Sequence, residues 1–368
     1  MGPAPAGLCK PASPGVFVER VKCHTGAYVV SKGRIMAVIH RIAFWSERTW
    51  DRWRARRIRK KVIAPYIGYA DPEHLVVRGR VLGSLRRHRP DPSQSLWLNF
   101  RQMVSLFLTD EVADVEVAAG GVTAISGQEG YFTLLLPRDA REGWVNVDVT
   151  ITGQEGVAVC PVLIARGNAK FAVVSDIDDT MMQTGAYSIA RNLWTSLTGN
   201  ALTRKVFEDA PPFMETLSDG GRNPVYYVSS SPWNLHYFLR RIFERAGLVP
   251  GPKFLRDLGM SETKFITGTH GDHKGDSIDV LFAANPTLPY VLVGDTGQHD
   301  AFVYRDAVLR HPGRIRAVVL REPGPGPDAE SLRAMEEIAA QGVLLLHAPS
   351  FGGFAPRIRD ALGATAGS

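Results

Sequence analysis

The acidic motif that begins at Asp176 has the residue types and spacing that covalent catalysis requires. Asp176 and Asp178 follow the apolar run 171–174, and side chains two positions apart on extended backbone point the same way. One carboxylate can therefore attack as a nucleophile while the other gives and takes protons. An Asp-rich turn that only caps a following helix is the alternative interpretation of this motif.

A second acidic motif follows another apolar run, residues 290–293. Gly294 permits a tight turn there, and Asp295 and Asp300 come next in the loop. Carboxylate oxygens are ligands that Mg²⁺ takes in proteins, where one or two carboxylates are completed by water and substrate oxygens. The motif predicts a magnesium site, and two Asp residues in an ordinary turn are the alternative.

Two further motifs lie between these and could bind an anion. Ser229 follows the apolar run 225–228, while Ser231 is predicted to be the N-cap of a helix with Pro232 at its first position. A helix start offers backbone N–H groups to an anion, and this arrangement leaves the Ser229 hydroxyl available for a phosphate group. Most lysines are simply solvated, so Lys274 alone is weak evidence. It becomes a candidate because the next apolar strand leads to the second acidic motif.

Alternating strands and helices after Lys170 must position these motifs. Apolar runs recur between helical stretches, which is typical of a Rossmann-like doubly wound parallel sheet in the α/β class. These runs are residues 171–174, 225–228, 290–293, 315–320 and 343–346. Sites in such sheets lie at the carboxyl ends of the strands, so the four motifs are predicted to share one site.

Residues 62–165 follow a different pattern, with short β-branched runs of period two separated by Gly and Pro. This pattern predicts a small antiparallel β-sandwich, interrupted by one helix over residues 99–109. We find no catalytic constellation in this region. The chain is therefore divided into a basic leader (residues 1–61), a β-sandwich domain (62–165) and a catalytic domain (166–368).

The leader carries fourteen Lys and Arg residues against three Asp and Glu, although the formal charge of the whole chain is +6. An amphipathic helix is predicted over residues 37–61, with Trp45, Trp50 and Trp53 beside its arginines. Such a segment favours an anionic partner, and we expect peripheral contact with an anionic membrane rather than with nucleic acid. The alternative is a helix that packs on the rest of the protein.

Composition and cysteine count indicate the compartment. The three cysteines have no metal-type spacing, and no apolar run reaches the roughly 18 residues that a membrane span needs. An odd number of cysteines argues against a disulfide framework, so we expect a cytoplasmic protein.

Taken in order, the four motifs resemble the signature of the haloacid dehalogenase superfamily. The residues within the motifs more closely resemble the phosphatidate phosphatase family typified by the fungal actin patch protein. The catalytic domain of that family is distantly similar to that of the lipins. The motifs that carry the resemblance are residues 176–180, 227–233, 273–276 and 294–300. The resemblance covers about residues 165–365 and implies a sheet of the haloacid dehalogenase type, preceded by the β-sandwich domain.

The resemblance implies a role for each motif residue. Asp176 would be the nucleophile that forms an aspartyl-phosphate, and Asp178 would protonate the leaving alkoxide and then activate water. The substrate phosphate would be bound by Thr180, Ser229, Ser230 and Lys274. The cofactor Mg²⁺ would be held by Asp176, Asp178, Asp295 and Asp300.

The activity that the resemblance implies is Mg²⁺-dependent hydrolysis of phosphatidate to diacylglycerol and phosphate. The 48 residues between Thr180 and Ser229 leave room for a small cap, and an open site suits a large or membrane-bound substrate. A phosphatase of soluble phosphate esters or of nucleic-acid ends is the alternative. A non-enzymatic adaptor is disfavoured because all four acids are intact.

Overall fold

The structure, a computed structural model, describes residues 61–83, 111–183, 206–256, 270–297, 299–324 and 326–364. Several predictions fall on residues outside these ranges: the leader helix apart from Lys61, the helix over residues 99–109, and residues 184–205 of the expected cap. The division of the chain into three domains also stays a prediction.

The first sheet is built from the β-branched runs that precede Lys170. Its strands are β1 (Val62–Pro65), β2 (Gly68–Ala70), β3 (His74–Leu82), β4 (Glu116–Ala119), β5 (Val122–Ile125), β6 (Tyr131–Pro137), β7 (Gly143–Ile151) and β8 (Val157–Ile164). Burial alternates along β6 and β7 as the period-two pattern predicts, whereas β3 is buried at most of its positions. In β7, Val145 and Val147 are buried, whereas Trp144 before them and Asp148 after them are exposed.

The strand β3 lies at the centre of this first sheet. It pairs with β6 along one side, while β1 and β2 share its other side. The path then continues through β8, β7, β4 and β5, and the pairs are antiparallel apart from β2 with β8, which is parallel. Because β4 and β5 come back against β6, the sheet is curled. The division into a two-sheet sandwich stays a prediction.

The second sheet is parallel, as the alternation after Lys170 predicts. Its strands are β9 (Ala172–Asp176), β10 (Val225–Pro232), β11 (Lys253–Arg256), β12 (Tyr290–Asp295), β13 (Ile315–Arg321) and β14 (Leu344–Ala348). The helices are α1 (Ala210–Ser218), α2 (His236–Ala246), α3 (His270–Ala284), α4 (Asp300–Arg310), α5 (Ala329–Ala340) and α6 (Phe354–Ala364). The chain is thus a mixed α/β protein with a parallel sheet.

Apolar side chains cover both faces of the parallel sheet. Successive residues of β9 enter different cores: Val173 packs with α1, α2 and α6, whereas Ala172 and Val174 pack with α3, α4 and α5. Burial on both faces explains why these strands are continuous apolar runs rather than alternating ones. Within the described residues, no helix has the length and apolar character needed to cross a membrane.

The order of the parallel strands is β11-β10-β9-β12-β13-β14, which places β9 between β10 and β12. The chain first builds outward on one side of β9 and then returns to build on the other. Open sheets bind ligands in the crevice at the carboxyl ends of the strands where this reversal occurs. Asp176 ends β9 and Asp295 ends β12, so both carboxylates are delivered to that crevice.

Local details of several strands differ from the sequence prediction. The β-branched run at residues 62–69, which predicts one strand, is divided into β1 and β2, and neither β5 nor β11 was predicted. The N-cap assigned to Ser231 is wrong: β10 continues to Pro232, a 3-10 helix (Trp233–Leu235) follows, and α2 begins at His236. The Ser231 hydroxyl has another partner, described below, that only the tertiary structure supplies.

Candidate active site

Asp176 lies at the centre of the candidate site and is 1% exposed. Its Oδ1 forms an ion pair with Lys274 Nζ at 2.8 Å. Apart from this ion pair, neither oxygen of Asp176 has a hydrogen-bond partner among the described residues. Buried polar atoms almost always have partners in folded proteins. The bare carboxylate of Asp176 is therefore suited to a ligand or a cation.

Lys274, near the start of α3, connects two carboxylates across the crevice. Its Nζ lies 2.8 Å from Asp176 Oδ1 and 2.5 Å from Asp300 Oδ1. All three side chains are buried, and charge-assisted bonds of this kind are strong in a site that excludes water. The two contacts fix the ammonium beside the carboxylate of Asp176.

Asp295 is held from two directions. Its Oδ1 accepts a hydrogen bond from Gly297 N at 2.6 Å, and its Oδ2 accepts one from the Thr180 hydroxyl at 3.5 Å. Asp300 Oδ2 in turn accepts from Asp295 N at 3.2 Å. Thr180, which was predicted to bind substrate, is thus placed with its buried hydroxyl on Asp295.

Gly294 is required for a reason that differs from the predicted tight turn. A Cβ atom at this position would lie 2.5 Å from Asp300 Oδ2 and 2.8 Å from the ring of Tyr304. Both side chains are buried and hydrogen-bonded, so neither could move aside easily. The glycine therefore lets α4 bring Asp300 against the end of β12.

Three of the four predicted metal-binding acids form one cluster. Asp176, Asp295 and Asp300 each offer a carboxylate oxygen, and these oxygens lie within 4.8 Å of one another. The donor set fits a hard divalent cation such as Mg²⁺, as do the Asp176 oxygens, which have no partner among the described residues besides Lys274. Asp178 is not a member of this cluster, and its contribution to a metal site stays a prediction.

The electrostatics of the cluster also favour a cation. Burial raises the pKa of Asp176 to about 8, although Lys274 opposes this, and Asp300 and Asp178 raise it further. Burial raises the pKa of Asp295 well above its usual range, reinforced by Asp300 and Asp176. Burial lowers the pKa of Lys274, but the surrounding carboxylates outweigh it and the pKa is raised. One ammonium thus faces three carboxylates, which leaves an excess of negative charge.

The segment 229–232, which we call the serine loop, lies beside the acid cluster and holds Asp178. The hydroxyls of Ser229 and Ser231 each donate to Asp178 Oδ2 at 2.8 Å. Ser231 N also donates to Ser229 Oγ at 2.9 Å, which stiffens the loop. Ser230 is half-buried between them. The sequence assigned Ser231 to a helix cap, and the structure makes it a partner of Asp178.

Arg321 is a buried residue of the site that the sequence analysis did not single out. It ends β13, and its Nε donates to the Thr180 carbonyl oxygen at 2.9 Å. Its guanidinium group pairs with both oxygens of Asp209, at 2.8 and 3.2 Å, and donates to Pro349 O at 3.0 Å. The rings of Phe207 and Phe351 lie on it, each centroid 3.9 Å from Cζ.

Arg321 thereby ties the loop that follows Asp176 to the ends of two other elements. Asp209 precedes α1, and Pro349 follows β14. A fully charged side chain is rarely buried unless it is paired, so the unusual sequence signal was an Arg at the end of an otherwise apolar strand. That signal does not identify the partners, because Asp209 and Thr180 are remote from it in sequence.

The fold and the site together define an α/β protein with a buried carboxylate–lysine site at the ends of parallel strands. Residues 171–322 match the family model of the phosphatidate phosphatase APP1 catalytic domain, so the predicted resemblance to the phosphatidate phosphatase family is confirmed. All of the motif residues discussed above lie within this matched segment.

Two curated relatives are similar to part of this chain. The chain is 29% identical over 149 residues to phosphatidate phosphatase APP1 of Saccharomyces cerevisiae, which covers 40% of this chain and 25% of the relative. It is 23% identical over 232 residues to an uncharacterised protein of Schizosaccharomyces pombe, covering 60% of this chain and 37% of that protein. The chain therefore spans between a quarter and two fifths of the length of these relatives.

A solved structure with a partial likeness is the carbohydrate acetylesterase XAC1771 from Xanthomonas citri. The identity is 12%, with 82% of this chain and 74% of that chain covered, and the TM-score is 0.31. A similarity at this level carries no argument about fold or activity.

Proposed function

We propose that this chain is a Mg²⁺-dependent phosphomonoester hydrolase of the haloacid dehalogenase type, which converts phosphatidate to diacylglycerol and phosphate through an aspartyl-phosphate. The observation that carries the proposal is the carboxylate of Asp176, which is buried at the end of β9 with no hydrogen-bond donor other than its ion-paired lysine. A nucleophile needs this kind of free lone pair in a water-poor setting, with a cation beside it.

The strand order supports the fold assignment within this proposal. Numbered in chain order, the parallel strands run 3-2-1-4-5-6, which is the order of Rossmann-type doubly wound sheets, with the reacting residues at the point of reversal. The first sheet precedes it in sequence, as a β-sandwich domain would in the proposed architecture.

The acid cluster supports the proposed cofactor. Asp176, Asp295 and Asp300 would hold Mg²⁺, with Asp178 contributing from the adjacent loop. When bound, the cation would neutralise charge on the phosphate oxygens and on the cluster. Burial, reinforced by Asp300 and Asp178, raises the pKa of Asp176 to about 8, and a bound divalent cation would offset this cost of keeping the carboxylate charged.

The chain's own residues account for the remaining requirements of phosphoryl transfer, which are positioning and charge neutralisation. An Asp176 oxygen attacks phosphorus and forms the aspartyl-phosphate as the bond to the leaving alkoxide breaks. Asp178 gives its proton to that alkoxide, then takes one from the water that hydrolyses the intermediate. Lys274 and the Ser230 hydroxyl would hold the phosphate oxygens. Ser229 would join them by turning its hydroxyl from Asp178 to the phosphate when substrate is bound.

The proposed substrate rests on the confirmed family resemblance and on the basic leader. The S. cerevisiae relative is a phosphatidate phosphatase, and the matching family model covers the candidate site. The excess of basic residues in residues 1–61 would bring the enzyme to anionic membranes, where each Lys or Arg contributes about 1 kcal/mol near the surface. Phosphatidate is itself an anionic lipid of such membranes.

A substrate panel with and without metal tests the proposal. Phosphate release should be fastest from phosphatidate in anionic vesicles, slower from lysophosphatidate, and slowest from nucleotides, sugar phosphates and phosphorylated DNA ends. EDTA should abolish release and Mg²⁺ should restore it. Because salt screens surface charge, high salt should reduce hydrolysis in vesicles more than hydrolysis of soluble esters.

Three results of this panel would contradict particular parts of the proposal. Full activity in metal-free buffer would exclude the Mg²⁺ assignment. Faster turnover of soluble esters or DNA ends would favour the alternative substrates. Equal salt dependence for vesicle-bound and soluble substrates would exclude the role of the leader at the membrane.

A further inference from the structure

The serine loop is not fixed by the sheet that carries it. The pairing of β10 with β11 is regular up to Ser229, which lies opposite Leu255, but the next pair is Pro232 with Arg256. Two residues, Ser230 and Ser231, therefore bulge out of the ladder. Bulges of this kind aim side chains near active sites, but they also remove backbone hydrogen bonds from the strand. Something outside the ladder must hold the loop in place.

The residue directly after the serine loop is held by the first sheet. The Trp233 ring stacks on the Tyr66 ring with centroids 4.9 Å apart and planes within 10°. Tyr66 also contacts the ring of His236 at 4.1 Å between centroids. Tyr66 and His236 are both buried, so this aromatic group is packed in the interface between the two sheets. Stacked aromatic pairs contribute about 0.5–1.5 kcal/mol beyond their burial.

The next residue, Asn234, is held by polar groups of the same sheet. Its side-chain oxygen accepts hydrogen bonds from Arg80 and from the Tyr131 hydroxyl, both at 3.3 Å. Arg80 is 2% exposed and lies over the Tyr131 ring, with Cζ 4.3 Å from the centroid. It is fixed by Glu129 O at 2.7 Å and by an ion pair with Glu111. The donors that meet Asn234 are therefore themselves immobilised.

We infer that Arg80 and Tyr131 of the first sheet, and Tyr66 in the connection between β1 and β2, are positioning residues for the reaction. They act through Trp233 and Asn234 to hold the serine loop and, with it, Asp178. The inference rests on the proposed phosphatase function. It gives the first sheet a role in catalysis although it carries none of the reacting groups. None of these residues touches the substrate phosphate in this account.

The expected consequence is specific to proton transfer. Two hydroxyls of the serine loop fix Asp178 Oδ2, so a looser loop misplaces the group that protonates the leaving oxygen. An alkyl phosphate needs this proton, whereas an activated aryl phosphate such as p-nitrophenyl phosphate needs it much less. A misplacement of about 1 Å can cost about 100-fold in rate, so the effect should be readily measured.

The substitution Asn234→Ala in the full chain, with Mg²⁺ present, tests the inference. We expect kcat to fall about tenfold for an alkyl phosphate and about twofold for p-nitrophenyl phosphate, with KM changed less than about twofold for both. Asn146→Ala is the matched control, because Asn146 is exposed on β7 and its loss should leave both rates unchanged. Equal losses for the two esters would overturn the inference, as would no loss at all.

A double-mutant cycle provides a second, independent test. Ser231→Ala removes one of the two hydroxyls on Asp178, and Asn234→Ala should then cost little more in the alkyl phosphate reaction than Ser231→Ala alone. Fully additive losses would overturn the inference. Should Asn234→Ala fail to fold, Tyr131→Phe removes the donor hydroxyl, keeps the ring over Arg80, and should show the same selective loss.

The outcome also separates this inference from the proposed function. A wild-type chain that hydrolyses both esters, with equal losses in the variants, would overturn the positioning role alone. A wild-type chain that releases phosphate from neither ester, under conditions where the protein is folded, would overturn the proposed function and the inference with it.

Discussion

Arg321 and Arg80 are both nearly fully buried, yet they hold opposite sides of the candidate site from different sheets. Arg321 ends β13 of the parallel sheet and binds the backbone of the loop that follows Asp176. Arg80 belongs to β3 of the curled sheet and reaches the serine loop through Asn234. Each guanidinium group lies on aromatic rings and is paired with carboxylates.

The two arginines differ in origin: the half of the site that carries Asp176 is supported from within its own sheet, and the half that carries Asp178 from outside it. The side that carries Asp176 is held by Arg321, which ends β13 of the same parallel sheet. The side that carries Asp178 depends on a bulged loop that the first sheet holds in place. Disturbing the two sides should therefore change different steps of the proposed reaction.

The largest expected effect is that of Asp176→Asn, which removes the proposed nucleophile itself. The amide keeps the shape of the side chain but cannot attack phosphorus, so we expect kcat to fall at least about 1000-fold for alkyl and aryl phosphates alike. Thermal unfolding should show a folded protein, because the change also removes a costly buried charge.

Asp148→Asn on the exposed face of β7 is the matched control for this variant and should keep full activity. Retention of even a tenth of the wild-type kcat by Asp176→Asn would remove Asp176 from the role of nucleophile. The assignment of the attacking group to the side of the site that Arg321 supports would then be wrong.

An intermediate effect is expected for Arg321→Lys, which keeps the positive charge but loses the planar fork. The bidentate contact with Asp209 and the bond to Thr180 O cannot both be kept by one ammonium. We expect a loss of about 2–3 kcal/mol in the free energy of unfolding and a fall in kcat of about 10–100-fold. The fall should be equal for alkyl and aryl phosphates, in contrast to Asn234→Ala.

Arg316→Lys is the control for Arg321→Lys, since Arg316 is exposed on the same strand. Chemical denaturation and kcat measurements on both esters decide the outcome. If Arg321→Lys slowed hydrolysis of the alkyl phosphate alone, Arg321 and Arg80 would not support separate sides of the site. The proposed division of the site between the two sheets would then be wrong.

The smallest effect is expected at Lys253, a buried cation that the described residues leave without an ion pair. Its Nζ lies 4.5 Å from the Phe243 ring centroid, and burial lowers its pKa to about 8, with a further contribution from Arg240. Between about pH 8 and the unfolded value of 10.5, unfolding takes up a proton, so stability should rise with pH in that window.

The substitution Lys253→Met should raise the unfolding free energy at pH 7 by about 1 kcal/mol, because the cation–π contacts offset part of the burial cost. The difference from wild type should shrink between pH 8 and 10. Lys170→Met, at an exposed lysine, is the control and should leave the pH dependence unchanged. A Lys253→Met variant that is less stable at pH 7 would contradict the expectation.

The sequence predicted the contents of the acid cluster because those residues follow buried strands. Asp176 and Asp295 come at the ends of continuous apolar runs, and the carboxyl ends of parallel strands share one edge. The order of the motifs along the chain likewise predicted that Lys274 and Ser229 belong to the site. Local pattern was sufficient here, since each of these residues is placed by the strand or helix that carries it.

The sequence could not predict the supports of the site, because their partners are chosen by tertiary packing. Ser231 has the sequence pattern of a helix cap, and it contacts Asp178 only because β10 bulges. Arg80 and Asn234 are separated by 154 residues in sequence, and Arg321 and Thr180 by 141. The periodicity of apolar residues along the sequence does not predict contacts between residues so far apart.

Local sequence pattern was thus enough to identify which residues can react and which strands carry them, since polar residues after apolar runs reflect the local geometry of the chain. How the reacting groups are held depends on tertiary packing. A bulged loop and a strand-end arginine need partners from remote elements, because a buried charge or an interrupted ladder is stable only when its polar groups are satisfied.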